Sequence, residues 1–127
     1  MNDELFNFAK RYAGAWSSQN PKSVAAFYAK NGSIAVNGGT PAPILEVARA
    51  FMHDFPDMIV TFEKLEPRGS VTAFHWTLTG TNTGPGGTGN KVQISGYELW
   101  KIDNHGLISE SKGHFDAADY EKQLKKK

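Results

Sequence analysis

Leu5, Phe8, Ala9, Tyr12, Ala13 and Trp16 recur three and four residues apart. That is the period of one helix face, and it predicts an amphipathic helix over roughly Asp3 to Trp16. Polar residues from Ser17 to Asn20 interrupt the pattern. Asn20-Pro21 then reads as a cap followed by the proline favoured at a first helical position. A short second helix carrying Val24, Phe27 and Tyr28 is expected, ending at Asn31-Gly32, where a left-handed residue is cheap. Ser33 to Val36 suits a brief strand. Thr40-Pro41-Ala42-Pro43 opens a third helix with Ile44, Val47, Ala48 and Phe51 on one face, and Pro56 sets its limit.

Beyond Asp57 the period changes from helical to alternating. Met58–Leu65 reads as a strand and Glu66-Pro67-Arg68-Gly69 as a turn. Val71–Thr79 is a strand rich in β-branched and aromatic residues. Gly80–Asn90, rich in glycine, is a loop. Lys91–Ile102 is a long strand, Asp103–Gly106 a tight turn, Leu107–Phe115 another strand, and Ala117 to about Lys125 a closing helix. Strands joined by turns pair antiparallel, and helices grouped before them predict a segregated α+β architecture in one domain spanning residues 1–127.

Alternation assigns faces. In Lys91–Ile102 the even positions Val92, Ile94, Trp100 and Ile102 are apolar, so Glu98 points inward with them. A carboxyl group there is either a satisfied structural hydrogen-bonder or, with burial disfavouring its charge, a candidate for chemistry. Phe74, Trp76 and Leu78 share one face of the preceding strand. His75 takes the other, where a subunit interface would lie. In Leu107–Phe115 neither alternating set is core-like. Asp116-Ala117-Ala118-Asp119-Tyr120 reads as a helix start with Asp116 as the cap, and Phe115 and Tyr120 are spaced as a hydrophobic staple.

Composition narrows the partners. The 127 residues carry a formal charge of +1, which offers no footprint for nucleic acid and no pull toward an anionic membrane. Lys125-Lys126-Lys127 reads as a solvated tail, and the acidic Met1-Asn2-Asp3-Glu4 is unlike a secretory signal. No apolar run approaches a membrane span. Cysteine is absent, which removes disulfides and thiolate chemistry and fits a cytoplasmic location. His53, His75, His105 and His114 show no paired ligand spacing, so no metal site is expected. Gly84–Gly89 lacks the lysine-serine ending of a phosphate loop and reads as a strand connection at a pocket mouth.

The runs HWTLTGTNTGPGGTG, ISGYELW and NHGLISESKGHFD, with Ala15-Trp16, Phe27-Tyr28-Ala29 and His53-Asp54-Phe55-Pro56-Asp57 ahead of them, occur in an order that spans nearly the whole chain. In these features the chain resembles the SnoaL-like polyketide cyclase group of the nuclear transport factor 2-like superfamily. The resemblance implies a cone, in which a curved antiparallel sheet packs against three N-terminal helices around an apolar cavity. It also implies a homodimer and a cofactor-independent cyclase, isomerase or lyase acting on a polyketide-like or steroid-like carbonyl compound. A non-catalytic binding protein for a small hydrophobic ligand is the alternative. The family's acid/base aspartate corresponds to Asp116, with His114 two residues earlier as a partner, while Trp16, Tyr28, Phe55, Trp76 and Trp100 would wall the pocket beside Glu98. Where many relatives carry a tryptophan shortly before the aspartate, this chain has Lys112-Gly113-His114.

Overall fold

A computed structural model describes residues 3–126. The expectations for Met1, Asn2 and Lys127 lie outside those residues. Helix α1 (Asp3–Ser17) opens on Asp3 and Glu4, whose charges suit the N-terminal end of a helix, and buries Ala9, Tyr12, Ala13, Ala15 and Trp16. Its last turn is tied to the sheet, because Ser17 Oγ accepts from the Val60 N–H at 2.9 Å. Helix α2 (Pro21–Ala25) is capped by the Asn20 side chain, which accepts from the Lys22 N–H.

Strand β1 (Tyr28–Val36) begins where the sequence suggests a continuing helix. The left-handed residue expected at a helix end, Asn31, has φ 66° but sits inside this strand, at an irregularity between Tyr28 and Ser33. A non-local contact explains the difference: β1 pairs parallel with β6 (Ile108–Phe115), Tyr28 opposite Ile108 and Val36 opposite Gly113. Strand β2 (Ala42–Pro43) adds a two-residue edge, and α3 (Ile44–Asp54) follows, burying Ile44, Ala48 and Met52.

Strands β3 (Ile59–Arg68), β4 (Val71–Thr81) and β5 (Lys91–Ile102) form an antiparallel meander with β6, giving the sheet order β2-β1-β6-β5-β4-β3. β3 runs through the expected turn residues Glu66 and Pro67. It is an edge strand, where a residue lacking an N–H is tolerated. Helix α4 (Ala117–Lys125) closes the chain and clamps β5, since Gln123 exchanges hydrogen bonds with both backbone groups of Gln93. The 82–90 connection is organised by the buried Asn82, which donates to Asp54 O and accepts from Thr88 N. It packs on the end of α3, and none of its residues lines the cavity described below.

The core joins the helices to one face of the sheet. Phe62, Phe74 and Trp100 stack in sequence across β3, β4 and β5, with centroid separations of 5.7 and 4.8 Å. Phe8 and Tyr12 of α1 meet Trp100 edge-on at 5.5 and 5.1 Å, arrangements favoured by the ring quadrupoles.

Candidate functional site

Beside this aromatic stack lies a cavity of about 50 Å³. Its walls come from α1 (Trp16), β1 (Ile34, Val36), α3 (Val47, Phe51), β3 (Val60), β4 (Trp76, Leu78), β5 (Ile94, Glu98) and β6 (Gly113). The space is enough for a few waters or a fragment of a molecule. It is well short of the ~300 Å³ or more of ordinary small-molecule sites. Val36, Val47 and Phe51 are half-buried, so the β1–α3 side of the cavity is the one nearest solvent.

Glu98 is the one ionisable side chain among these lining residues, and it is only 6% exposed. Its Oε1 accepts three hydrogen bonds, from Tyr12 OH at 2.8 Å, Trp100 Nε1 at 2.9 Å and Ser111 Oγ at 2.9 Å. Tyr12 spends its single proton on Glu98, so the Tyr28 hydroxyl 2.8 Å away must donate to Tyr12. A relay Tyr28→Tyr12→Glu98 therefore ends on a cavity-lining carboxyl group, and all three bonds that reach Glu98 do so through Oε1. Burial pushes the Glu98 pKa up, while the bonds from Trp100, Tyr12 and Ser111 pull against that rise. Burial, and next the Glu98 charge, hold both tyrosines well above the ordinary phenol range.

Two lining residues carry a further polar group that is sealed away from solvent. The indole N–H groups of Trp16 and Trp76 are buried and have no hydrogen-bond partner. Trp76 lies over Gly96 of the neighbouring strand: a Cβ at Gly96 would sit 2.2 Å from the His114 carbonyl oxygen and 2.8 Å from Trp76 Cζ2, so the glycine makes room for both the β6 backbone and the ring. No group of three or more His, Cys, Asp or Glu side chains that could hold a metal occurs among the described residues, and no described helix is long and apolar enough to cross a membrane.

The structure divides the sequence-predicted site. Trp16, Trp76 and Glu98 line the cavity. Trp100 is bonded to Glu98 directly and Tyr28 through Tyr12. Phe55 is fully buried elsewhere, packed toward Tyr120 with centroids 6.3 Å apart. Asp116 is exposed and caps α4, its Oδ1 accepting from Asp119 N at 3.0 Å, with Phe115 and Tyr120 edge-on at 5.4 Å as a staple. His114 points to the outer face of the sheet, where its ring meets Tyr97 at 5.1 Å. His75 shares that outer face, 5.7 Å from Tyr97 and 2.9 Å from Glu66 Oε1. Neither Asp116 nor His114 reaches the cavity lining, because β6 ends at Phe115 and alternation turns His114 away from it. Tyr12, Ser111 and Gly113 were not singled out by the sequence; Tyr12 reads there as one more member of an apolar helix stripe.

The sequence pattern described as SnoaL-like polyketide cyclase matches residues 7–124. No curated protein matches the chain significantly. Among solved structures, a hypothetical protein with a ketosteroid isomerase-like fold from Catenulispora acidiphila, in complex with trimethylamine, superposes with a TM-score of 0.78 at 15% identity, covering 98% of this chain and 94% of that one. IdmH of Streptomyces antibioticus superposes with a TM-score of 0.73 at 20% identity, covering 94% and 96%. An M. tuberculosis LEH-like epoxide hydrolase gives 0.72 at 15% identity, covering 95% and 89%. At such identities the likeness is one of fold.

Proposed function

Because the chain belongs to the SnoaL-like polyketide cyclase family, we propose that its cavity is the active site of a cofactor-independent enzyme acting on a neutral, largely apolar carbonyl compound, with Glu98 as the proton-handling group. The observation that carries this reading is the opposition acting on Glu98. Burial favours its neutral form, and three donors gathered on Oε1 favour its charged form. A group held between two protonation states by opposing effects is suited to give and take a proton. As a carboxylate it removes a proton from the carbon beside the carbonyl, the C–H electron pair passing into an enolate. As the acid it returns that proton.

The lining holds no Lys, Arg or His, so a ligand carrying a permanent negative charge would be buried without a counter-ion. This favours a neutral substrate. The cavity's size admits the reacting end of such a compound, the remainder passing out beside Val36, Val47 and Phe51. Non-catalytic binding is the second reading, and one observation favours it: a single ionisable lining group leaves no separate acid and base. A homodimer joined across the outer sheet face at His75, Tyr97 and His114 belongs to the same proposal, and sedimentation of the intact chain tests it.

Exchange of ring-ketone α-protons in D2O, followed by proton NMR, separates the alternatives. Wild type should accelerate exchange over buffer, Glu98→Gln should abolish the acceleration, and Asp116→Asn should retain it. The reverse pattern assigns the base to Asp116, as the family resemblance implies. Ketone binding without exchange by any variant leaves a binding protein.

A further inference from the structure

Gly113 occupies the middle of β6, opposite Glu98 on β5 and Val36 on β1. It is buried and lines the cavity. Nothing in the backbone demands a glycine there. Gly113 is not among the positive-φ residues, and a Cβ built on it would meet Ile34 Cδ1 at 3.7 Å, Glu98 Cγ at 3.8 Å and Ala35 O at 3.9 Å, all ordinary contacts. Gly96, on the adjacent strand, is different in kind, since a Cβ there would sit 2.2 Å from the His114 carbonyl oxygen and 2.8 Å from Trp76 Cζ2. A strand-interior glycine is less stable than alanine and gives its neighbours no side chain to pack on. An unforced glycine at such a position leaves one consequence: the backbone of β6 stays open to the cavity, next to the carboxyl group.

We propose that Gly113 is the specificity-determining residue of the site, the surface against which the reacting end of a small carbonyl compound lies while the carbon beside its carbonyl reaches Glu98. The inference rests on the reading of the cavity as a ligand site and adds what sets the ligand's size. Any side chain at 113 grows between Ile34 and Glu98, into the space the ligand needs. Bulk added at 113 therefore selects against larger rings before smaller ones, and does so without touching a polar group of the site.

The test compares wild type, Gly113→Ala and Gly113→Val for thermal midpoint without ligand, for binding of cyclopentanone, cyclohexanone and α-tetralone by NMR titration, and for uptake of dissolved xenon. Both variants should melt at or above the wild-type temperature, because a residue better suited to a strand replaces glycine. Affinity should fall in the order glycine, alanine, valine and more steeply for the larger ketones, with a loss of roughly tenfold or more for valine if ligand and side chain compete for one volume. Xenon uptake should fall in parallel. Variants that bind the three ketones and xenon as wild type does would overturn the proposal, as would a wild type that takes up no xenon, or an alanine variant that melts lower. If wild type binds no ketone yet loses xenon uptake on substitution, the carbonyl reading fails while Gly113 remains the residue that sets the space.

Discussion

Replacing Glu98 with glutamine and with leucine perturbs the same buried position in two ways whose costs differ sharply. Leucine fills similar space but accepts nothing. It strands the Tyr12 hydroxyl, the Trp100 indole N–H and the Ser111 hydroxyl, all of which converge on Oε1. Each deserted buried donor costs about 1–3 kcal/mol, so the variant should lose at least about 3 kcal/mol. That is a large part of the ~5–15 kcal/mol that holds a typical domain together. Glutamine keeps a carbonyl oxygen where Oε1 stands, and should keep most of the network. What it removes is ionisation. The unfolded chain releases the Glu98 proton near the ordinary value of 4.5, and the folded chain, with a raised pKa, holds it to higher pH. The folded state therefore binds more protons in that window, and the wild type loses stability as pH rises from 4.5 to the folded value, then levels off. Glutamine has no such slope. The stability of Glu98→Gln relative to wild type should climb through the same window, by about 1.4 kcal/mol for each tenfold of extra proton affinity in the folded state. Urea unfolding of the three proteins at steps between about pH 4 and 8 reads both effects, because differences between variants cancel the titration of shared groups. Parallel pH profiles for wild type and Glu98→Gln would refute the raised pKa. A leucine variant as stable as wild type would refute the three-donor network.

Ser111→Ala removes one donor from Oε1, so it should cost about 1 kcal/mol in urea unfolding. Because that bond lowers the Glu98 pKa, its loss should push the carboxyl pKa further up, as seen by carbon NMR titration. Gly96→Ala places a Cβ 2.2 Å from the His114 carbonyl oxygen, 2.8 Å from Trp76 Cζ2 and 3.1 Å from Phe115 Cβ, so the backbone of β6 itself must shift. Overpacking costs about 1–3 kcal/mol and more where backbone must move, so a loss of at least about 3 kcal/mol is expected, read by thermal melting and tryptophan fluorescence. Asp116→Ala removes the α4 cap and should cost about 1 kcal/mol by chemical unfolding, whereas Asp116→Asn, an equivalent cap, should stay within a few tenths. Equal losses for the two would show that the charge rather than the cap matters there.

The inward direction of Glu98 was legible because β5 is an interior strand, paired with β4 from Lys91 to Trp100 and with β6 from Gly96 to Ile102, so simple alternation holds from Val92 to Trp100. β1 was illegible at its start for the opposite reason. Local propensity around Tyr28 favours continuing a helix, and the contact that overrides it, parallel pairing with Ile108, comes from 80 positions further along the chain. The Gly-rich connection was read correctly as a loop, but its fixed point, the buried Asn82, gives no sign of itself in a stretch of polar and small residues.

The hardest element was β6, and the reason bears on the site itself. Ile108 is fully buried on the core side, and so are Ser111 and Gly113, which stand three and five positions later. No single alternation can put an even residue and two odd ones on the same face. The register shift between Lys101 and Ile102 across the β5–β6 pair supplies the missing half-period. Before the irregularity the even positions face the core, and after it the odd ones do. That one displaced residue brings Ser111 to within 2.9 Å of Glu98 and sets Gly113 beneath the cavity. It also turns His114 outward, toward Tyr97. Bulges are known to re-aim side chains near functional sites, and here one irregularity separates a serine and a glycine that serve the cavity from a histidine that does not. A strand whose two faces look equally mixed in sequence is thus a signal of its own: the mixture arises because the strand changes faces partway.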